Sequence, residues 1–156
     1  MSLGDRNAVI DIFNYYIENS FAAYPEKTVT YEFYEILLKM CHGFPNGVIR
    51  NESGTVVGFG MLRPYNPIST FSTTAEITYF IKQKHTGLGL GTAILEYLIN
   101  EGKKRGIKSI LASVSSLNDS SMRFHTRHGF VECGRFRNIG LKHEKVFDVV
   151  YFQKML

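Results

Sequence analysis

The stretch AEITYFI-KQKHTGLGLG-TAILEYLINEGKKR, from Ala75 to Arg105, decides the fold. Its first part, the β-branched and aromatic run Ile77–Ile81, predicts a short buried strand. Its last part predicts an amphipathic helix, because Leu90, Ile94 and Leu98 recur every four residues. Gly106 is a typical helix terminator, and the basic residues before it suit the negative end of a helix dipole.

The loop between this strand and helix has glycines at three alternate positions, Gly87, Gly89 and Gly91. Glycines let the backbone approach a bulky anion closely, and the helix start that follows directs free N–H groups at the anion. The loop therefore predicts a phosphate site, and a purely structural turn is the alternative.

Two nucleotide-binding motifs do not fit this loop. A dinucleotide fingerprint needs a third glycine where Thr92 stands and an acidic residue about twenty positions on, where the chain has Leu111. A triphosphate loop ends in Gly-Lys-Ser/Thr, which the chain lacks.

Composition predicts one globular domain over the 156 residues. The apolar runs are too short to span a bilayer, so we expect no membrane partner. A net charge of +4 with scattered basic residues does not favour nucleic acid. Cys41 and Cys133 form no metal-ligand or disulfide pattern, so a reducing cytoplasm and no metal are expected.

The remaining elements alternate between helices and strands, which predicts a mixed α/β sheet with helices on both sides. Asp5 is expected to cap the first helix, and Asn118 is a good N-cap for the last, which Gly129 ends. The expected helices cover residues 5–20, 31–42, 90–105 and 118–128, and the expected strands cover 48–50, 56–61, 74–81, 107–114, 130–137 and 145–154.

Three segments together resemble the GNAT superfamily of acetyl-coenzyme A-dependent N-acetyltransferases. They are Thr74–Ile81, the loop Thr86–Gly91 with its Gly-x-Gly core, and Asn118–His125 followed by Gly129-Phe130. Within the superfamily the chain is most similar to the phosphinothricin and methionine sulfoximine acetyltransferase branch. The resemblance implies one GNAT domain over residues 1–156, with a twisted mixed sheet of six to seven strands. Relatives carry a strand before the first helix, and here we expect that strand to be truncated, missing, or at most three or four residues long.

The resemblance also implies the reaction. Glu76 looks like the carboxylate that acts as general base and removes a proton from the attacking amine. His125 stands where many members carry a tyrosine general acid, and an imidazole can serve as acid or as second base. The alternatives are a solvated strand-end carboxylate for Glu76 and a packing or capping histidine for His125.

The family pattern further implies the residues that bind each substrate. Acetyl-CoA would pair with the backbone of the strand and lie on the glycine loop, with Asn118 as an additional contact. The implied cofactor-binding residues are Tyr79, Phe80, Ile81, Thr86, Gly87, Leu88, Gly89, Leu90, Gly91, Thr92 and Asn118. The implied acceptor-binding residues are Arg63, Tyr65, Ile77 and Thr78. Tyr24 and Tyr31 are weaker candidates for the acceptor wall, where a core or rim aromatic is the alternative.

The sequence therefore predicts an enzyme that acetylates the primary amine of a small molecule, such as phosphinothricin or methionine sulfoximine. Acetylation of a protein N-terminus, a lysine or a polyamine is the alternative within the enzymes. A coenzyme A-binding regulatory module without turnover is the alternative outside them. Similar enzymes are usually dimers, so a homodimer is expected.

Overall fold

The computed structural model describes residues 1–156 as four helices and six strands, joined by turns and three short 3-10 segments. The helices are α1 (Arg6–Asn19), α2 (Phe33–Met40), α3 (Leu90–Lys104) and α4 (Asp119–Arg127). The strands are β1 (Asn46–Arg50), β2 (Val56–Pro64), β3 (Thr74–Ile81), β4 (Ser109–Ser115), β5 (Val131–Lys142) and β6 (Lys145–Met155).

All six strands form one mixed sheet in the order β1-β2-β3-β4-β6-β5. Only β3 and β4 pair in parallel, and α3 forms the crossover between them. The other neighbours are antiparallel. The predicted mixed α/β fold is confirmed, with six strands. Leu3–Asp5 is a single 3-10 turn, and no strand precedes α1 in the residues described.

Each face of the sheet carries its own apolar core, because successive strand residues point to opposite faces. On β3, Phe80 joins the cluster under α1 and α2, and Ile77 and Ile81 join the cluster under α3. On β2, Gly60 lies beneath α3, where a Cβ atom would come within 2.8 Å of Ile94. The helix therefore packs closely against the middle of the sheet.

Two local predictions were wrong. Asp5 makes no side-chain cap of α1. Its buried carboxylate instead accepts from Ser2 and pairs with Arg50 on β1. The last hairpin is also longer than predicted: β5 continues to Lys142 through a register shift that contains Asn138, whose φ is +55°. An asparagine tolerates this left-handed conformation, so the strand resumes after the irregularity.

No helix in the structure combines the length and the apolar character that a membrane span needs. No group of three or more His, Cys, Asp or Glu side chains is arranged to hold a metal ion.

Candidate active site

The cleft opens where β3 and β4 stop pairing. Their parallel pairing covers only three residue pairs and ends at Glu76 opposite Leu111. Beyond this point the main chain of Ile77–Ile81 pairs with β2 alone, so its other edge is free. A cavity of ≈ 1000 Å³ occupies this region and reaches both faces of the sheet. An extended ligand can therefore pair with the free edge of β3 as an additional strand.

The glycine loop forms one wall of the cleft. Gly87 and Gly89 have φ values of +77° and +80°, in the left-handed region that favours glycine. None of the hydrogen bonds in the structure uses the main-chain N–H groups from Gly87 to Thr92, and the first N–H bond of α3 comes from Ala93. Six consecutive free donors at a helix start suit an anion such as a diphosphate.

The side chains of the loop have different surroundings. The Thr86 hydroxyl donates to the Gln83 carbonyl at 2.8 Å, whereas Leu88 is exposed. Neither Leu88 nor Leu90 lines the main cleft, and both line a smaller pocket next to the turn between β1 and β2. Gly91 allows close packing of α3 on α4, because a Cβ atom at this position would lie 3.2 Å from the Phe124 ring.

Helix α4 is tied to the loop by two side chains. Thr92 Oγ1 lies 2.9 Å from Nε2 of His128, whose Nδ1 donates to the Phe124 carbonyl at 2.8 Å. His128 also stacks on Phe124, with ring centroids 4.1 Å apart. No sequence pattern marks His128 as a site residue, because its partner Thr92 lies 36 residues away on another helix.

Glu76 lies at the point where the strands separate, with its side chain in the cleft. Its neighbour across the β2–β3 ladder is Arg63, and the guanidinium pairs with the carboxylate through Nη2 and Oε2. Burial raises the pKa of the Glu76 carboxyl above its ordinary value, and the Arg63 charge opposes this rise. Glu76 is the only Asp or Glu that lines the cleft.

His125 lies behind Tyr79 and is nearly inaccessible, at 3% exposure. Its Nδ1 is 2.8 Å from the Ser121 carbonyl, which can only accept, so the ring proton is on Nδ1. The Tyr79 hydroxyl then donates to Nε2 at 3.1 Å. Burial lowers the pKa of His125, and the imidazole is therefore neutral at pH 7. In this form His125 is a proton acceptor whose free nitrogen faces the Tyr79 hydroxyl.

Asn118 caps α4 as predicted. Its Oδ1 accepts from the Ser121 N–H at 3.2 Å and from the Ser120 hydroxyl at 3.0 Å. None of the hydrogen bonds in the structure uses its Nδ2, and the residue lines the cleft. Capping therefore leaves one donor available to a ligand.

The acceptor side of the cleft is largely apolar. Thr78 and Tyr24 line it, and Tyr24 stacks on Phe147 with ring centroids 5.9 Å apart. Ile77 also lines the cleft, but its side chain belongs to the core under α3, on the opposite face of the sheet. Two other aromatic candidates lie elsewhere. Tyr65 packs against Phe71 outside the lining, and the Tyr31 hydroxyl donates to Asp11 at 2.9 Å. Five apolar residues that the sequence does not mark as site residues also line this side: Phe13, Phe33, Leu37, Met40 and Met61. Their apolar spacing predicts only core packing.

Comparisons with known proteins agree with this geometry. The profile of the acetyltransferase (GNAT) family matches residues 9–130. Phosphinothricin N-acetyltransferase of Streptomyces viridochromogenes is 30% identical, over 96% of this chain and 82% of that protein. The L-methionine sulfoximine/L-methionine sulfone acetyltransferase of Salmonella typhimurium is 26% identical, over 97% of this chain and 90% of that protein.

Solved structures give the same result. Ribosomal-protein-alanine N-acetyltransferase from Brucella melitensis has a TM-score of 0.93 and 30% identity, over 100% of this chain and 97% of that chain. The structure of yncA from Salmonella typhimurium with its cofactor acetyl-CoA has a TM-score of 0.91 and 25% identity, over 100% of this chain and 91% of that chain. The chain is therefore an acetyltransferase that belongs to the GNAT family.

Proposed function

We propose that this protein transfers the acetyl group of acetyl-CoA to the primary amine of a small molecule, with Glu76 as general base. One observation carries the proposal: the only carboxylate of the cleft lies where β3 and β4 separate, in the same cleft as Gly87, Gly89, Gly91 and Thr92, whose main-chain N–H groups have no partner. A proton acceptor and an anion cradle are the two groups that this reaction requires from the protein.

Acetyl-CoA fits the cleft by its chemistry and supplies an acetyl thioester. The N–H groups of Gly87–Thr92 would hold its diphosphate, and the free edge of Tyr79–Ile81 would pair with the amide-containing arm. Asn118 offers its free amide donor to the same arm. The acetyl-CoA found in yncA, a protein of the same fold, supports this assignment.

The proton steps then follow from the charges. An amine is mostly an ammonium ion at pH 7, so Glu76 first takes one proton to create a nucleophile. The nitrogen bonds to the acyl carbon, the C–S bond breaks, and the nitrogen loses a second proton as the sulfur gains one. Main-chain N–H groups near Tyr79 stabilise the charge that develops on the acyl oxygen. His125 is proposed as the second base: the second nitrogen proton passes to the Tyr79 hydroxyl as the hydroxyl proton moves to Nε2, and the same relay returns one proton to the sulfur.

The acceptor is proposed to be an amino acid or amino-acid analogue. The curated relatives act on phosphinothricin and on methionine sulfoximine or its sulfone. In this chain Arg63 and Thr78 line the acceptor side of the cleft, and Ile77 lines the cleft from the opposite face of the sheet. Tyr65 was predicted with them, and it would have to reach the acceptor from outside the present lining.

A second candidate is acetylation of a protein N-terminus. The Brucella melitensis structure, named for ribosomal-protein alanine, is as similar to this chain as the Streptomyces enzyme. The two candidates differ in what must enter the cleft: a free amino acid presents a carboxylate next to the amine, whereas a peptide N-terminus presents a neutral amide.

A thiol-release assay with acetyl-CoA and an acceptor panel tests the proposal. The panel contains phosphinothricin, methionine sulfoximine, methionine sulfone, common amino acids, spermidine and an Ala-starting peptide. We expect acetylation of one or more amino-acid acceptors. Turnover confined to the peptide would support the second candidate, and coenzyme A binding without any turnover would support a regulatory module.

The variant Glu76→Gln tests the assigned base. We expect kcat to fall by about 10²- to 10⁴-fold, the range typical of general-base removal, with unchanged acetyl-CoA binding in calorimetry. Gln keeps the size of Glu and an oxygen that can accept from Arg63, so folding should be preserved. Unchanged turnover on the preferred acceptor would exclude Glu76 as the base.

The predicted homodimer is a further proposal, and β5 is its candidate interface. β5 forms one edge of the sheet and exposes Val131, Phe136, Ile139 and Leu141. A long edge strand with exposed apolar side chains invites pairing with another chain. Sedimentation equilibrium should detect a dimer that the variant Leu141→Lys weakens, and a monomeric wild-type protein would contradict it. The cytoplasmic location stays a prediction.

A further inference from the structure

Arg63 and Glu76 form an ion pair inside the candidate active site. They are direct cross-strand neighbours on β2 and β3, so both side chains leave the same face of the sheet. The exposed fractions of the side chains are 33% for Arg63 and 14% for Glu76. Each charge is therefore partly withdrawn from water and compensated by the other.

The charges that line the cleft are few. Besides Glu76 there is no carboxylate, and Arg63 and Arg127 are the only Lys or Arg residues. Arg127 belongs to the last turn of α4, on the opposite face of the sheet from α1 and α2. The other titratable group close to Glu76 is the Tyr24 hydroxyl, whose pKa burial raises, so it is neutral at pH 7. Nothing but Arg63 can therefore act as counter-ion to Glu76 in the unliganded site.

We propose that the acceptor enters as a zwitterion between Arg63 and Glu76, so that Arg63 exchanges the Glu76 carboxylate for the carboxylate of the acceptor. The released Glu76 then faces the acceptor ammonium. This inference rests on the proposed role of Glu76 as base. Its new content is that Arg63 holds the base at rest and becomes the specificity residue once substrate binds.

Charge balance explains why a zwitterion is selected. The zwitterion replaces one ion pair by two, because Arg63 gains a carboxylate while Glu76 gains the ammonium. A simple amine or an amino-acid amide breaks the resting pair and leaves the half-buried Arg63 without a partner, which is costly. Polyamines bring a second positive charge toward Arg63 and are disfavoured by repulsion.

The exchange also brings an ammonium proton of the acceptor to the carboxylate of Glu76. With Arg63 on the acceptor carboxylate, Glu76 accepts one ammonium proton and becomes a neutral acid, leaving a neutral amine with its lone pair. That nitrogen forms the C–N bond, the C–S bond breaks with its electron pair on sulfur, and the second nitrogen proton is transferred to the sulfur. Glu76 then releases its proton to solvent, so the overall reaction balances.

The test compares matched acceptors on matched variants. Each amino acid that is acetylated, with leucine and methionine sulfoximine as the first probes, is assayed beside its carboxamide. For the wild-type protein we expect kcat/KM to favour the acid by about 10- to 150-fold, the range for a charge-assisted pair. In Arg63→Gln the kcat/KM values for the acid and its carboxamide should agree within about threefold. Arg63→Lys should restore part of the preference for the acid. Arg50→Gln, which breaks an ion pair outside this cleft, is the control and should keep the wild-type preference.

The pH dependence of kcat/KM tests the electrostatic role of Arg63, because a purely structural role would leave it unchanged. Arg63→Gln removes the charge that opposes the raised Glu76 pKa, so the acidic limb of kcat/KM should shift to higher pH. An acid preference that persists in Arg63→Gln overturns the proposal, as does a wild-type protein that acetylates amides as well as acids. If Glu76→Gln is nonetheless inactive in either case, the proposed function stands without this inference. Full activity of Glu76→Gln removes the base assignment itself.

Discussion

At the scale of single residues, the surroundings of His125 determine its protonation. Its two nitrogens are held by the Ser121 carbonyl and the Tyr79 hydroxyl. Its ring packs edge-on against Phe130 at 5.0 Å and stacks on Phe152 at 5.8 Å. A second proton would displace the Tyr79 donor and place a charge among apolar rings. His125 is therefore a fixed acceptor in the folded state.

This burial predicts a pH dependence of stability. In the unfolded chain a histidine titrates near pH 6.5, whereas the folded His125 has a lowered pKa. The unfolded state therefore binds more protons between the two values, and the free energy of unfolding should decrease as pH falls below about 6.5. Urea titrations at pH 7.5 and pH 5 measure the difference. The difference in the free energy of unfolding between the two pH values should be smaller in His125→Gln and unchanged in His42→Gln, which replaces an exposed histidine. Equal differences in all three proteins would contradict the assignment.

At the scale of elements, the glycine loop depends on backbone conformation rather than on side chains. Gly89 is the N-cap of α3 with φ +80°, and a left-handed conformation costs other residues about 1–2 kcal/mol. We expect Gly89→Ala to weaken acetyl-CoA binding about tenfold or more, because relaxation of the strain turns an N–H away from the diphosphate. Calorimetry with acetyl-CoA measures this loss.

The matched control for Gly89 is Gly134→Ala. Gly134 lies on β5 without a positive φ, and a Cβ atom there would meet nothing within 4 Å. Its affinity for acetyl-CoA should equal that of the wild-type protein. Equal affinities of both variants would exclude the loop backbone as the main diphosphate contact.

The end of β5 fixes the acceptor wall through one buried lysine. Lys142 is 0% exposed, and its Nζ donates to the carbonyls of Ser20 at 2.8 Å and Ala23 at 2.6 Å. These carbonyls belong to the segment after α1 that carries Tyr24 into the cleft. Lys142 therefore helps to position this part of the wall, together with the Ser20 hydroxyl, which donates to the Tyr16 carbonyl.

Replacing this lysine should affect both stability and the acceptor. Lys142→Met keeps the length of the side chain and leaves two buried carbonyls without a donor. We expect a loss of about 2–3 kcal/mol in the free energy of unfolding and a higher acceptor KM with little change in acetyl-CoA affinity. Lys145→Met, at an exposed position in the same hairpin, is the control and should change neither quantity. A stable variant with unchanged KM would show that Lys142 does not hold the wall.

The same elements show how far the sequence predicts the site. The strand, loop and helix from Ala75 to Arg105 were predictable, because local periodicity and glycine spacing define them. Three features could be recognised only from the fold. The Arg63–Glu76 pair depends on the β2–β3 register, and the Tyr79–His125 hydrogen bond joins positions 46 residues apart. The burial of Lys142 is unexpected from sequence, because lysine is rarely buried. The continuation of β5 to Lys142 also depends on pairing with β6.

At the scale of the whole molecule, the sheet consists of two three-stranded halves. β1, β2 and β3 form one half and β4, β6 and β5 form the other, and only three residue pairs join β3 to β4. Helix α3 connects β3 to β4 but packs mainly on β1, β2 and β3, so the halves are joined by this short pairing and by the apolar core that they share. A ligand in the gap adds the contacts that the separated strands do not make to each other.

Acetyl-CoA should therefore stabilise the joint between the two halves. A ligand that binds only the folded state at 100 times its Kd adds about 2.7 kcal/mol to the free energy of unfolding. Hydrogen exchange should locate this effect, because amides that gain partners become protected. We expect slower exchange at Ile77–Ile81 and Gly87–Thr92 and no change in the turn at 51–55 between β1 and β2. Uniform protection across the sheet would indicate only global stabilisation. Protection of the loop without β3 would mean that the diphosphate binds while the gap between the strands stays open, and the acetyl group would then not reach Glu76.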